Sequence, residues 1–494
     1  MTTEPTVPAV PEIIKVPKLP MRQQELQAWL DRAERALDAG RWKEARELLL
    51  PAAQWLPQAP QIHHHLATSH LALGQAQSAL EAAQRALALA PGQWQSHLLK
   101  GRICKALGQM EAADASLDTV LALQPEEGEA WVAKADLAMN VFGLPRQAVA
   151  WMQPLLNDPR HAVDAELTTL MASLYDRDIS AAELTQRVMR FSRTHMRLPD
   201  VHLPALAARR SPTARPRVGI ISPLLCNSPV YFLTIKGWQH VAKGSDIVVF
   251  SRGYKNDWAT AAFRALSSQW LEVQALPAEA LARCLHAQDL DVLYDLGGWM
   301  DPVALKAMSV KPARAQYKWV GGQSMTTGLD SFDGWIGDLW QSPLHLQHLY
   351  SEPIVNIPEG YATYTPPSYL PAQTALAQRN RSPVVFSNPA KLSRDFLLYL
   401  RQTVGPIFFV HRQFQYARTR AKVEAALEGS KARAEFICPD SHRQALEILG
   451  SFHTMIDTFP YSSGLTAREA QAMGLQVKVF TGELFCERHS LHLS

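Results

Sequence analysis

The sequence predicts an α/α superhelix followed by two α/β domains, each a parallel sheet flanked by helices. Three observations lead there. Marks recur every 34 residues through the first third of the chain. Short β-rich runs alternate with helical stretches through the remainder, in two series. A Pro-containing stretch, PPSYLPAQTALAQRNRSP (366–383), separates the series. Length agrees, since 494 residues at roughly 150 per domain suggest about three units.

Composition excludes several classes. With 47% hydrophobic and 19% charged residues the chain can fill several cores, which argues against a disordered protein. No run approaches the ~20 apolar residues of a membrane helix, so no membrane span is expected. The 49 Lys and Arg against 46 Asp and Glu leave a net charge of +3. That lacks the basic excess of a nucleic-acid binder, and no nucleic-acid partner is expected. Cys104, Cys226, Cys284, Cys438 and Cys486 are far apart and form no CxxC pair, so neither disulfides nor zinc knuckles are expected. The first twenty residues contain five prolines and no apolar core. They read as a flexible tail (1–25) and not a signal peptide, which makes the cytoplasm the expected compartment.

The repeat region is read as 26–161. Pro57, Pro91, Pro125 and Pro159 lie 34 residues apart, as do Gly40, Gly74 and Gly108. Ala45, Ala79 and Ala113 follow those glycines by five, and Gly143 with Ala148 makes a fourth copy shifted by one. The pattern resembles the tetratricopeptide repeat. Glycine ends the first helix of each pair, where a left-handed backbone costs it least. The alanine lets the second helix approach closely, and the proline begins the next unit. Such a stack is expected to hold a partner protein on its concave face, the alternative being a purely structural stack. Adjacent helix positions point about 100° apart, so His63, His64 and His65 cannot share one ion and read as surface and groove residues.

Residues 162–213 read as a helical linker (ELTTLMASLY, ELTQRVMRF) that ends in the basic stretch AARRSPTARPR. A first strand series follows within 214–375: RVGIIS (217–222), DIVVFS (246–251), DVLYDL (291–296), AQYKWV (315–320) and GWIGD (334–338). A second occupies 376–494: PVVFSN (383–388), IFFVHR (407–412), AEFICP (434–439), TMIDTF (454–459) and QVKVFT (476–481). Ligands of doubly wound sheets sit beyond the carboxyl ends of the strands, so chemistry is sought there.

Three stretches after strands resemble one family. DTFPYSSGLTAREAQAMG (457–474), GGQSMTTGLDSFD (321–333) and FSNPAKLS (386–393) are similar to the donor-site, GYPGTTG-type and catalytic-lysine segments of O-GlcNAc transferase-like (SPINDLY-type) proteins, glycosyltransferase family 41. RVGIISP with NSPVYFL, and YSEPIVNIPEGYATYTPP, match further. The resemblance covers about 215–494 and implies a GT-B-type pair of Rossmann-like domains, the first facing the acceptor and the second holding the nucleotide sugar. It implies an inverting, metal-independent transfer of a sugar, GlcNAc by family default, from a UDP-sugar to a protein side chain. No cofactor beyond that co-substrate is implied.

A loop leading into a helix N-terminus supplies free N–H groups and partial positive charge for a diphosphate. Ser462, Ser463, Gly464, Leu465 and Thr466 form that turn here, with a helix over 466–473. By the resemblance Gly464 and Thr466 contact phosphate, Glu469 holds the ribose hydroxyls, and Asn388 lies near the phosphates. The resemblance also implies that Lys391 is the catalytic cation that neutralises the leaving diphosphate, the alternative being a solvated lysine at a helix start. Gly321, Gly322, Thr326, Thr327 and Gly328 would shape the sugar and acceptor pocket, which Ser228 and Trp299 would also line, with Asp338 supporting that loop. The Asp289-Leu290-Asp291 triplet is formally a DxD, but it precedes its strand and so lies at the wrong end of the sheet; no metal is expected.

Departures from the family pattern favour a second reading. Ser228 and Trp299 stand where the family has histidines, and neither handles a proton as an imidazole does. Leu465 replaces a threonine, and Ala445 stands where a base-contacting histidine is expected. The closing GELFCERHSLHLS suggests that a final helix across the cleft is absent or shortened. The alternative to the enzyme is therefore a non-catalytic repeat protein with a degenerate transferase domain.

Overall fold

The computed structural model describes residues 23–207 and 214–493. Most of the expected tail, and residues 208–213 of the basic stretch, lie outside the described residues. The chain divides into two compact units, Met1–Leu137 and Ala138–Ser494. The division falls inside the stretch read as repeats.

The first unit is built from helix pairs: α1 (Gln23–Asp38) with α2 (Trp42–Trp55), α3 (Pro60–Ala72) with α4 (Ala76–Leu89), and α5 (Trp94–Ala106) with α6 (Met110–Leu123), followed by α7 (Gly128–Asn140). Gly40, Gly74 and Gly108 end the first helix of each pair at φ of +66°, +73° and +75°, where a side chain would be strained. Ala45, Ala79 and Ala113 are buried between paired helices. The prolines do not open helices. Pro57, Pro91 and Pro125 lie in the turns before α3, α5 and α7. Each carbonyl accepts from a ring N–H six residues on: His63 Nε2 at 3.0 Å, His97 Nε2 at 2.9 Å and Trp131 Nε1 at 2.9 Å. The repeat thus carries an unforeseen third mark, a ring donor that closes each turn. This corrects the reading of the histidine triple as surface residues. His63 is buried on Pro57, and His64 Nδ1 lies 2.9 Å from Ser96 Oγ, with burial pulling its pKa down to about 4.

In the second unit α8 (Pro145–Met152), α9 (Ala162–Ala172) and α10 (Ala181–His195) precede a parallel sheet of seven strands. These are β1 (Arg217–Ser222), β2 (Asp246–Ser251), β3 (Gln269–Glu272), β4 (Val292–Asp295), β5 (Ala315–Lys318), β6 (Gly334–Gly337) and β7 (Ile354–Asn356), in the order β3-β2-β1-β4-β5-β6-β7. Its helices are α11 (Pro229–Gly244), α12 (Trp258–Leu266), α13 (Ala278–His286) and α14 (Pro302–Met308). The second sheet has five parallel strands: β8 (Val384–Val385), β9 (Gly405–Val410), β10 (Ala432–Ile437), β11 (Thr454–Ile456) and β12 (Gln476–Lys478), ordered β10-β9-β8-β11-β12. Helices α15 (Arg394–Leu400), α16 (Ala417–Leu427), α17 (His442–Gly450) and α18 (Leu465–Ala472) accompany it.

All ten expected strands form. The two missed, β3 and β7, are the edges of the larger sheet and are half-exposed (QWLE and IVN), so they lack the buried apolar run that marks a central parallel strand. Residues 162–206 are not a linker. Leu170, Leu184, Val188 and Phe191 of α9 and α10 join Ile220, Val248 and Leu293 of the larger sheet in one core. Ser192 Oγ on α10 donates to Thr327 O at 2.6 Å, and Gly328, at φ +71°, packs so closely on Ser192 that a Cβ would lie 2.6 Å from its hydroxyl.

If α10 is core and not tether, Phe191→Ala should lower unfolding stability by about 3–5 kcal/mol in a urea titration. A mere linker would tolerate the change within about 0.5 kcal/mol.

Candidate functional site

The quoted motifs lie at the carboxyl ends of both sheets, where β1, β4, β5, β8 and β11 give way to loops. Asp457, directly after β11, is fully buried. Its carboxylate accepts from Thr458 N at 2.8 Å, from Ser463 N at 2.9 Å and from the Ser490 hydroxyl. Ser462 N and Oγ both donate to Cys486 O at 2.9 Å, and Ser462 Oγ accepts from His489 N at 2.8 Å. The N–H groups of Ser462 and Ser463 therefore hold the turn together and are not free for an anion, contrary to expectation. Ser463 Oγ is buried without a protein partner. Gly464 precedes α18 with no capping side chain, so the first-turn N–H groups of Leu465 and Thr466 carry the helix's partial positive charge.

Lys391 comes from the short turn after β8. Its Nζ donates to Ser462 O at 2.9 Å and sits 4.4 Å from the ring centroid of Tyr461. Burial lowers its pKa to about 8, with the nearby Asp457 charge pulling the other way. Tyr461 stacks on Tyr175 at 4.9 Å, and its hydroxyl lies 2.9 Å from Ser324 Oγ. Asn388 caps the lysine's turn by accepting from Ala390 N at 2.9 Å. Beneath it Lys422 Nζ donates to Pro389 O at 3.1 Å and to Gly143 O at 2.8 Å, so the turn closing the fourth glycine mark props the lysine's loop. Glu469, on α18, is buried and accepts from His442 Nε2 at 2.8 Å.

The larger sheet contributes shape. Gly321 and Gly322 have φ of +70° and +57°, and a Cβ on Gly322 would lie 1.9 Å from Gly297 O, so only glycine fits this approach. Thr326 and Thr327 are buried, and both are held by Glu352: Thr326 Oγ1 donates at 2.7 Å, and Thr327 donates from its N–H at 2.7 Å and from its hydroxyl. Their hydroxyls thus brace the loop. Buried Lys318 donates to Asp295 O, Val320 O and Gly321 O at 2.7–3.0 Å. Trp299 Nε1 donates to Thr326 O at 3.0 Å, while Ser228 caps α11, accepting from Val230 N and donating to Leu224 O. Asp338 braces a different turn from the one expected, accepting from Trp340 N, Gln341 N and Tyr361 N. The closing residues pass between both loops: Cys486 N donates to Ser324 O at 2.9 Å, and Phe485 packs on Trp335. The Asp289–Asp291 triplet is engaged at the opposite end, with Asp289 on Arg314 and Asp291 accepting from Arg217 N. Among the described residues no three His, Cys, Asp or Glu side chains gather as a metal site, and no helix is long and apolar enough to cross a membrane.

The structure brings Lys391, Asn388, Ser462–Thr466 and Thr326–Thr327 together through Tyr461 and Ser324. Sequence reasoning missed Asp457, Tyr461, Lys422, Glu352, Lys318 and His442. Asp457 and Tyr461 lie in the DTFPY segment already quoted. Glu352 likewise lies in the quoted YSEPIVNIPEGYATYTPP segment, whereas Lys318 and Lys422 carried no local signal, because a buried lysine looks in sequence like a surface one.

Comparison with known proteins places these features. Residues 95–127 match the family model of the tetratricopeptide repeat. The chain is 24% identical over 287 residues to a tomato (Solanum lycopersicum) protein named as a probable UDP-N-acetylglucosamine–peptide N-acetylglucosaminyltransferase SPINDLY, and 25% to its Arabidopsis thaliana namesake. Each alignment covers 54% of this chain and 30–31% of the relative, so the chain spans about a third of the curated relatives it matches. A mutant of the Thermobaculum terrenum O-GlcNAc transferase shares the fold, with a TM-score of 0.59 and 22% identity over 94% of this chain and 84% of that one. The chain thus resembles O-GlcNAc transferases in sequence and in fold, with a tetratricopeptide-repeat match ahead of two parallel-sheet α/β domains.

The Asp457 contacts make Asp457→Leu costly, because the Ser463 and Thr458 N–H groups would be left buried without an acceptor. Urea unfolding should show a loss of about 3 kcal/mol or more.

Proposed function

We propose that this chain is a protein glycosyltransferase that moves a sugar, GlcNAc by its resemblance, from a UDP-sugar to a protein side chain. The observation that carries the reading is the convergence of the Lys391 ammonium and the N-terminus of α18 at the carboxyl end of the smaller sheet. Both are sources of positive charge fixed in place before a ligand arrives, which suits a diphosphate that gains charge as the glycosidic bond breaks. Two such sources make a metal unnecessary, and the reaction is proposed to be metal-independent. The acceptor hydroxyl or amide attacks the anomeric carbon from the face opposite UDP, so the configuration inverts. UDP leaves with the bond's electron pair, and the acceptor proton passes to a donor phosphate or to water. Residues 26–161 hold the acceptor protein, 214–375 form the acceptor-facing lobe and 376–494 the nucleotide-sugar lobe. The five cysteines are free, which suits the cytoplasm.

The second reading is a non-catalytic interaction protein. The roles of Ser228 and Trp299 in its favour are structural, a helix cap and a loop anchor, at positions where proton-handling groups were expected.

Thermal unfolding and UDP release discriminate the two. Under the enzyme reading, 1–5 mM UDP (on the order of 100 times a micromolar-range Kd) raises Tm by several degrees, since such excess adds about 2.7 kcal/mol. Lys391→Ala abolishes turnover with an unchanged fold by circular dichroism. No shift in Tm, and no UDP released with any acceptor extract, would leave the interaction protein. UDP affinity should also fall as pH rises through about 8, where the free Lys391 ammonium loses its proton. Lys391→Met should flatten that profile; calorimetric titration from pH 6.5 to 9.5 reads both.

A further inference from the structure

Three consecutive residues in the loop between α9 and α10 touch three different elements of the site. Tyr175 stacks on Tyr461 of the turn after β11, with ring centroids 4.9 Å apart and planes 11° from parallel. Asp176 Oδ2 accepts from Arg394 N at 2.9 Å, where the turn carrying Lys391 runs into α15. Arg177 pairs with the buried carboxylate of Glu487 in the closing residues. Asp176 is itself held by Arg146 of α8 at 3.0 Å, and Arg146 and Arg394 both pair with Asp178. The footing of the loop lies with the other domain. Leu170, Leu174 and Leu184, on either side of it, are buried in the core of the larger sheet. The loop is thus anchored on one sheet and grips the lysine's turn on the other.

A lysine is a point charge on a flexible four-carbon stem, so its aim is set by what surrounds the stem and the head. Lys391 Nζ has a carbonyl partner, Ser462 O at 2.9 Å, and the Tyr461 ring, whose centroid is 4.4 Å away. That ring is fixed at its hydroxyl by Ser324, at 2.9 Å, and on its face by Tyr175. Asp457 from the turn after β11, His411 from the loop after β9, and Cys486 and His489 from the closing residues also face the ammonium. Burial pulls the two imidazoles down to about 4 and about 3, so near neutral pH they carry no charge and Lys391 is the cation of this group. We propose that the α9–α10 loop is a brace whose Tyr175 is a positioning residue for Lys391, stacking Tyr461 so that its ring keeps the ammonium dry and aimed. The lysine comes from the smaller sheet, and its aim comes from helices packed on the larger one. The functional weight of the brace rests on the reading of Lys391 as the cation of the diphosphate site.

The test reads the lysine directly. In the full chain labelled with carbon-13 at lysine Cε, the resonance that disappears in Lys391→Met is followed by NMR from about pH 6 to about pH 11. Its wild-type midpoint lies at about 8. Tyr175→Leu keeps an apolar side chain but loses the stack, so water reaches the ammonium. The midpoint then rises by about one unit or more, because hydration favours the charged form. Tyr175→Phe keeps the stack and with it the wild-type midpoint. Calorimetry at about pH 7 should show UDP binding weakened about tenfold in the leucine variant, the range for a misaligned hydrogen bond to a charged group, and unchanged in the phenylalanine variant. A tyrosine that only fills the core would lower Tm in Tyr175→Leu and leave the midpoint where it was, and that result overturns the proposal. A wild-type Lys391 that titrates like a solvated lysine overturns it too, without any variant having to fold. If the wild-type chain binds no UDP, the diphosphate reading fails, while the midpoints still decide the brace.

Discussion

A carboxylate removed from water must find donors, and Asp457 finds them in the backbone of its own turn and in Ser490. That requirement shapes the rest of the site. By drawing the Ser463 N–H inward, Asp457 ties the turn after β11 to the strand's end just ahead of α18. The inward pull turns the Ser462 carbonyl toward β8, where Lys391 meets it. Anion and cation therefore both hold the turn, from the ends of two strands, immediately ahead of the helix N-terminus. Burial of both groups leaves each dependent on the other: the Asp457 charge resists the loss of the Lys391 proton, and Lys391 favours the ionised form of Asp457.

Positive charge at the site is thus a product of folding and not of composition. The chain's net charge is only +3, yet an ammonium and a helix N-terminus stand together at one sheet end. The ammonium is steadied from below. Lys422 binds the Pro389 carbonyl of the same short turn and the Gly143 carbonyl, and Gly143 lies so close to Pro389 that a Cβ would approach within 2.6 Å. The glycine that marks the fourth repeat also fits the repeat's end onto the lysine's loop.

Much of the fold was legible because it rests on local rules. The 34-residue marks correspond to left-handed glycines and buried alanines, and the ten apolar runs correspond to parallel strands, the central ones largely buried and the edges β10 and β12 largely not. The residues that escaped share a different physics. Strands β3 and β7 are short and half-exposed (QWLE and IVN) and show little apolar pattern, unlike the equally edge-placed β10 and β12, which lie in longer apolar runs. His63 reads as polar but is buried because the Pro57 carbonyl needs a donor. At the site, motif matching located Lys391 and Glu469 but could not show that Ser462, Ser463, Thr326 and Thr327 turn their polar groups inward, since those partners (Cys486, Asp457 and Glu352) are distant in sequence. Residue type fixes what a group can bond; only the fold decides whether that bond is already made.

The same distinction explains the departures at Ser228 and Trp299. An imidazole at either place would be a proton carrier at the mouth of the larger sheet. Here a serine hydroxyl closes the first turn of α11, and an indole N–H anchors the loop of Thr326, with its ring tilted against Phe191 at 6.1 Å. Both substitutions keep the loops in shape while removing groups that titrate near neutrality. The larger sheet then supplies form, through glycines, Glu352 and Lys318 sealed beneath the loop, and the smaller sheet supplies charge. Under the proposed chemistry, a proton leaving the acceptor has no imidazole waiting at those two places. It must travel with the donor's own phosphate or through water, and the groups that hold the diphosphate become the groups that govern the proton as well.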